Sequence, residues 1–228
     1  KVFSEVITEL LPNYKELSIA TGYLDLPGLE LIIEYLDEYD KVRILIGQEP
    51  LLPRYKKDKL EPDFPDKDLF DDLQKLQPST RLKEVVILIK ELIDTGKVEI
   101  KVYKRAFLHA KCYIFGDYNS DSAVGIIGSS NFTKAGFTSN TELNQLESDH
   151  RVVTFQPQTE KQEVGHLYWF EKLWNDPTSE DWEGAFTEIV ETSPVGDILF
   201  SPYETYIKTL YELYKEELED EELDNSIE

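Results

Sequence analysis

The sequence contains no methionine, a single cysteine and only three histidines among its 228 residues. The lone Cys112 excludes an intramolecular disulfide and a zinc site built from several cysteines, and it favours a reducing, cytoplasmic setting. No apolar run approaches the ~20 residues that a membrane-spanning helix needs, and the first residues lack a signal-peptide pattern. Without an initiator methionine, we expect the chain to be a piece of a longer protein.

Basic residues are also scarce, since 24 Lys and Arg face 46 Asp and Glu and leave a net charge of -22. This balance by itself argues against a nucleic-acid partner. The charge is unevenly distributed, however: residues 212–228 are strongly acidic, whereas residues 97–111 carry five cations and one acid. This basic segment is either a solvated strand face or a phosphate-binding surface. Because it directly precedes the chemical motif described below, we take Lys104 and Arg105 as candidate phosphate-binding residues.

The first half of the chain has a β-α-β pattern. Residues 17–23 form a short apolar run, Pro27 suits the first turn of a helix, and residues 42–47 form a second apolar run. This order predicts an α/β fold with parallel strands. Residues 48–67 contain four prolines and alternating charge, which predicts a long surface loop.

The second half continues with elements of both kinds, and its final part is helical. We predict a helix over 82–92, strands over 98–103, 109–115 and 123–128, and a turn at 117–121. Further helices follow beyond residue 155: one has its apolar face at Leu167, Phe170, Leu173 and Trp174, and a long one begins with a capping box at Ser201.

The residues that carry chemistry begin at His109 and Lys111. Because strand side chains alternate between faces, these two point the same way, while Leu108, Cys112 and Ile114 point into the core. A nucleophilic imidazole beside a fixed cation suits an anionic phosphodiester, since the cation neutralises a non-bridging oxygen while the imidazole attacks phosphorus.

A second group of polar residues follows the next strand. Gly128 lets the backbone approach a ligand closely, and Ser129, Ser130 and Asn131 offer neutral donors for phosphate oxygens. Further along, Glu142 supplies a carboxylate that could fix the tautomer of a histidine. Each piece alone has little specificity, but the order and spacing of these residues between two apolar strands are far more specific.

These residues resemble the HKD motif of the phospholipase D superfamily. The resemblance is carried by His109-Ala110-Lys111, Asp117, the run 128–133 (Gly-Ser-Ser-Asn-Phe-Thr) and Glu142. It is strong over 107–144 and looser elsewhere, and it is closest to a nuclease-like branch whose domains are fused to superfamily 2 helicases or restriction enzymes. It implies a mixed sheet flanked by helices over residues 1–178, a C-terminal helical extension or connector over 179–215, and an acidic tail or linker over 216–228.

The resemblance also implies a role for each matching residue. His109 would be the nucleophile of a phosphohistidine mechanism, with Glu142 orienting it. Lys111 and Asn131 would bind phosphate oxygens, with Ser129 and Ser130 close by. No metal and no cofactor would be required. The implied partner is DNA, and a helicase domain could follow in the full-length protein.

The sequence departs from the family pattern in two ways. The family aspartate follows its lysine at a spacing that here falls on Gly116, so Asp117 lies one residue late. The reaction also needs two motifs, and neither His150 nor His166 belongs to a second His-x-Lys pair. We therefore expect a homodimer in which a second copy completes the active site.

Two further interpretations of the chain remain open. The domain could be a catalytically silent dimerisation or DNA-positioning module of a helicase. It could also hydrolyse a lipid or a small phosphodiester, although the acidity of the chain and the lack of a basic amphipathic helix argue against a membrane-lipid substrate.

Overall fold

The structure, a computed structural model, describes residues 1–47, 66–77, 79–106, 108–116, 123–147, 152–154 and 162–196, together with single residues between 203 and 214. The chain divides into two compact units, Lys1–Gly196 and Asp197–Glu228. The described residues contain no helix that is both long and apolar enough to cross a bilayer.

The first unit is built on a seven-stranded mixed sheet. Its strands are β1 (Glu16–Thr21), β2 (Lys41–Gly47), β3 (Val98–Tyr103), β4 (Lys111–Phe115), β5 (Val124–Gly128), β6 (Asn144–Glu147) and β9 (Ser179–Asp181), in the order β6-β5-β4-β1-β2-β3-β9. The β1, β2 and β3 strands are parallel, and the other pairs are antiparallel. A separate hairpin joins β7 (Val152–Thr154) to β8 (Gln162–Val164).

Helices cover both faces of the sheet. They are α1 (Phe3–Leu10), α2 (Leu26–Glu30), α3 (Ile33–Leu36), α4 (Asp66–Lys75), α5 (Thr80–Asp94), α6 (Lys134–Thr138), α7 (His166–Trp174) and α8 (Glu183–Thr192), with a 3-10 turn at Leu11–Asn13.

The alternation of side chains along the strands separates two hydrophobic cores. In β4, Tyr113 and Phe115 belong to the larger core, which includes buried residues of α1, α2, α3, α4, α5, α6 and α8. Cys112 and Ile114 face the other way, toward the apolar face of α7. Leu108 belongs to this second core as well, which confirms the predicted facing of these three residues.

The predicted strands over 17–23, 42–47, 98–103, 109–115 and 123–128 match β1 to β5 with ends that shift by at most two residues. The helix predicted from Pro27 is divided into α2 and α3 because Ile32 leaves the helical conformation, with φ -129° and ψ -3°. The α4 helix and the short strands β6 to β9 were not predicted. The turn at 117–121 and most of the loop at 48–67 lie outside the described residues.

Residues 179–196 belong to the first unit. The β9 strand pairs with β3, and α8 buries Phe186 and Val190 in the larger core. The boundary between the compact units therefore falls after Gly196, whereas the sequence predicts the end of the first domain after residue 178. In the second unit, the described residues Tyr203, Tyr206, Ile207, Thr209, Leu210 and Tyr214 are helical, in the stretch where a long helix was predicted.

Candidate active site

The candidate site lies along one edge of the sheet. The parallel strand β1 ends there at Thr21, and its antiparallel neighbour β4 begins there at Lys111. Lys111 pairs with Gly128 at the end of β5, and Gly128 pairs with Asn144 at the start of β6. The strand register therefore gathers residues that are far apart in the sequence into one row.

Lys111 is 4% exposed, and its ammonium donates a hydrogen bond of 3.0 Å to the carbonyl oxygen of His109. His109 itself is exposed and lies two residues before β4, so the strand starts later than the predicted 109–115. The buried cation is thus held next to the backbone that carries the candidate nucleophile. A charge with so little solvent around it interacts more strongly with an anion than a surface lysine does.

Gly22 lies at the point where the candidate phosphate-binding groups meet. A Cβ atom at this position would lie 3.2 Å from Oδ1 of Asn131 and 3.6 Å from Nζ of Lys111. The absence of a side chain therefore keeps the space between the amide and the ammonium open. The structure brings Lys111 and Asn131 together beside Gly22.

Thr21, the last residue of β1, connects the loop that carries Asn131 to the sheet. Its hydroxyl accepts a 3.0 Å hydrogen bond from the backbone N–H of Phe132 and donates one of 2.8 Å to the carbonyl of Tyr23. The same hydroxyl lies 3.4 Å from Oδ1 of Asn131. Thr21 is completely buried, and sequence reasoning did not identify it. The available signal was a hydroxyl side chain at the end of an apolar strand, directly before Gly22.

Ser130 is buried, and its hydrogen bonds hold the loop that follows β5. Asn144 donates from Nδ2 to the Ser130 hydroxyl at 2.8 Å and accepts from the Ser130 backbone N–H at 3.4 Å. The hydroxyl of Tyr113 donates to the Ser130 carbonyl at 2.9 Å. These contacts make Ser130 and Asn144 part of the framework that holds the neighbouring Asn131 in place.

Ser129 is exposed and contacts Glu142. Its hydroxyl donates to the Glu142 carboxylate and accepts from the backbone N–H of Leu143 at 3.0 Å. The second carboxylate oxygen accepts from Asn140 at 3.1 Å. The resemblance assigns Glu142 to His109, whereas these hydrogen bonds join Glu142 to the loops at the end of β5 and before β6.

The predicted basic surface is neutralised by ion pairs. Lys104 lies 2.7 Å from Glu180, and Arg105 lies 2.9 Å from Asp176. Hydrogen bonds from the backbone and side chain of Thr178 hold the pKa of Asp176 below its usual range, and Arg105 adds to this effect. The local excess of positive charge in the sequence is therefore balanced by acids that tertiary contacts supply.

The same pattern holds for the lysines on β3 and just before it. Lys101 lies 3.5 Å from Asp181, and Lys97 lies 3.1 Å from Asp37. Four of the five cations of the basic segment, Lys97, Lys101, Lys104 and Arg105, therefore lie within 4 Å of a carboxylate.

Gly116 explains why the family aspartate is missing at this position. Its φ of +111° is a conformation that residues with side chains rarely adopt, and a Cβ there would lie 2.9 Å from the Cα of Ala123. The close approach of Ala123 to residue 116 therefore requires glycine at this position. Asp117 lies outside the described residues.

The other histidines occupy different places. His166 is completely buried at the start of α7, where its ring lies 3.0 Å from the position of a Cβ on Gly125. The ring of His166 therefore packs against the backbone of β5. His150 is outside the described residues. Within the described part of the chain, no three His, Cys, Asp or Glu residues form a group that could hold a metal ion.

Comparison with known protein families matches residues 7–162 to a family described as "Cardiolipin synthase, PLD-like domain". This match covers more than half of the chain. The chain belongs to the PLD-like domain family. Members of the phospholipase D superfamily are phosphodiesterases and transferases, and the seven-stranded mixed sheet flanked by helices is the fold that the sequence predicted.

A solved structure similar to this PLD-like domain is the phosphatidylserine synthase of Haemophilus influenzae Rd KW20. The two are 14% identical with a TM-score of 0.49, over 94% of this chain and 43% of that one. The PLD-like domain therefore spans less than half the length of that structure. No curated protein matches the chain.

Proposed function

We propose that this PLD-like domain is a metal-independent phosphodiesterase that cleaves DNA through a phosphohistidine intermediate at His109. The observation that carries the proposal is the convergence of Lys111 and Asn131 on the backbone of Gly22. The buried Lys111 ammonium beside this gap suits an anionic oxygen. Asn131 turns its amide oxygen Oδ1 toward the gap, so its amide would rotate to present the Nδ2 donor when a phosphate binds.

The reaction would proceed in two displacements. A neutral imidazole nitrogen of His109 forms a bond to phosphorus while the bond from phosphorus to the leaving oxygen breaks, and an acid donates a proton to that oxygen. Water then attacks phosphorus and gives a proton to the conjugate base of that acid, while the bond from phosphorus to the His109 nitrogen breaks and releases a phosphate monoester. Lys111 and Asn131 would stabilise the negative charge that develops on the non-bridging oxygens.

The acid would come from a second copy of the chain. The sequence holds one His-x-Lys pair, and a homodimer with its two-fold axis near His109 would supply a second histidine. The two Lys111 ammoniums would then face one shared phosphate, whose charge offsets their repulsion. Because nucleophile and acid must both reach the same phosphate, the two rings would lie within ~10 Å of each other.

The assignment of DNA as substrate rests on the resemblance of residues 107–144 to the nuclease-like branch. Lys104 and Arg105 lie within ion-pair distance of Glu180 and Asp176, so DNA would compete with these acids for both cations. The same resemblance supports a place for the domain in a larger helicase or restriction protein.

A second candidate function is phosphatidyl transfer between lipids. The matching family model is described by the name of cardiolipin synthase, which favours this chemistry over the silent positioning module. The same phosphohistidine would form, and a lipid hydroxyl would replace water as the second nucleophile.

The test is a cleavage assay with excess EDTA on labelled single-stranded and double-stranded DNA, run beside phosphatidylglycerol vesicles. The proposal predicts DNA cleavage by the domain and none by His109→Ala. Conversion of the lipid alone would support the transferase. If the dimer binds DNA but does not cleave it, the result would support the catalytically silent module.

A further inference from the structure

The loop that carries Asn131 lies against the loop that follows β1. The backbone N–H of Asp25 donates to the carbonyl of Phe132 at 3.1 Å, and Leu24 forms a parallel bridge with Phe132. The N–H of Phe132 in turn donates to the Thr21 hydroxyl at 3.0 Å. The residue directly after Asn131 is therefore held at both of its backbone polar groups.

The side chain of Asp25 adds a second connection between these two loops. Its Oδ1 atom accepts from the backbone N–H of Gly28 at 2.6 Å and from that of Lys134 at 3.0 Å. The first contact caps α2, and the second lies at the first residue of α6. A Cβ on Gly28 would lie 2.9 Å from the Cα of Thr133, so the two backbones are in close contact here. One carboxylate oxygen thus joins the first turns of two helices, one from each loop.

The place of Asp25 in the chain relates this connection to the candidate site. Asp25 follows Gly22 by three residues, and Lys134 follows Asn131 by three residues. The gap beside Gly22 and the carboxylate of Asp25 therefore lie at opposite ends of the same pair of short segments. Because both segments are short, their attachment at Asp25 limits how far Asn131 can move from Gly22.

We propose that Asp25 is a positioning residue of the candidate active site. Through its hydrogen bond with Lys134 it holds Asn131 next to the gap where the phosphate would bind. The inference rests on the proposed function, because that function assigns Asn131 to a phosphate oxygen. A small displacement of a group that contacts the reacting atoms slows a reaction strongly, so the connection matters to the reaction even though Asp25 acts through other residues.

The connection needs the acceptor oxygen of Asp25 rather than its charge. Burial raises the pKa of the Asp25 carboxyl above its ordinary value, although hydrogen bonds from Lys134 and Gly28 oppose the shift. The charge is therefore unfavourable at this position. Asparagine places an acceptor oxygen at the same distance from the backbone, whereas the hydroxyl of serine is closer to the backbone by one bond. Both residues cap helices well, so they separate the capping of α2 from the connection to Lys134.

The first experiment measures kcat, KM and thermal stability for Asp25→Ala, Asp25→Ser and Asp25→Asn on DNA. We expect the alanine and serine variants to lose kcat by about tenfold or more. Their KM should change less, since KM for DNA also depends on contacts along the strand. Asp25→Asn should recover most of kcat. Asp25→Ser should recover much of the stability that Asp25→Ala loses, because serine restores the cap of α2.

The matched control is Ser79→Ala, which removes the cap of a helix outside the site. The Ser79 hydroxyl accepts from the N–H of Leu82 at 3.2 Å at the start of α5. This variant should lower thermal stability and leave kcat unchanged. A kcat that falls in proportion to stability in every variant, the control included, overturns the positioning role. An Asp25→Asn variant as slow as Asp25→Ala also overturns it, because the acceptor oxygen would then have no effect.

The second experiment does not depend on cleavage. Inorganic phosphate is titrated into isotope-labelled protein, and the side-chain amide signals of Asn131 are followed by NMR after their assignment with Asn131→Ala. We expect phosphate to shift these signals with similar dissociation constants in the wild type and Asp25→Asn. The dissociation constant should rise several-fold in Asp25→Ala and Asp25→Ser.

The outcomes separate this inference from the proposed function. Phosphate binding that weakens in Asp25→Ser, in a protein that cleaves neither DNA nor lipid, supports the positioning role while the proposed function fails. Wild-type kcat and phosphate binding in Asp25→Ser overturn the positioning role and leave the phosphodiesterase intact. If phosphate shifts no signal of Asn131 and the wild type has no activity, both are overturned.

Discussion

Replacement of Thr21 by valine should destabilise the fold although the two side chains have nearly the same shape. The hydroxyl of Thr21 is the acceptor for the buried backbone N–H of Phe132, at 3.0 Å. Valine would leave that donor without this partner, and a buried unsatisfied donor costs roughly 1–3 kcal/mol. In a domain of this size, each kcal/mol lowers Tm by about 2–4 °C.

The measurement is denaturant unfolding followed by tryptophan fluorescence, with Thr21→Ser as the control that keeps the hydroxyl. The serine variant should recover most of the lost stability. If the protein is active, the valine variant should also lower kcat more than it raises KM, because Thr21 holds the backbone of Phe132, directly after Asn131. Stability of Thr21→Val within about 0.5 kcal/mol of the wild type, which is the range of neutral surface changes, would refute the reasoning.

Four other outcomes follow from the sequence and the structure. Cleavage should persist in excess EDTA, and activity that is lost with the chelator and restored by magnesium would contradict a metal-independent mechanism. His109→Ala should abolish turnover and leave the unfolding curve unchanged, because His109 is exposed; unchanged cleavage would exclude it as nucleophile. Gly116→Asp should lower the free energy of unfolding by more than about 1 kcal/mol, since an L side chain is strained at φ +111°, and a neutral effect in thermal unfolding would argue against this turn geometry. Cys112 should react with a thiol reagent at pH 8 only after unfolding, because burial raises the pKa of its thiol from 9.0 to about 12. Rapid labelling of the native protein would show that the core around Cys112 opens. The stability that the protonated thiol contributes is present below pH 9.0 and is lost as the pH rises towards 12.

The sequence by itself determined strands β1 to β5 and the order of the motif residues. The alternation through Cys112 and Ile114 predicts that these side chains share one face of β4, because the facing of strand residues is a local property with a period of two. The runs around His109 and Asn131 carry the family resemblance because their spacing is also local. In the same way, the apolar spacing at Leu167 predicts helix α7.

Only the tertiary structure decided which groups surround those residues. Thr21 lies 111 residues from its partner Phe132, and Arg105 lies 71 residues from Asp176. No local pattern encodes these contacts, so the sequence alone could not show that acids lie beside the cations of the basic segment. The strand register sets Asn144 beside Ser130 in the same way. Hydrogen bonds and ion pairs depend on distance in space, and it is the packing of the whole sheet that brings these partners within reach.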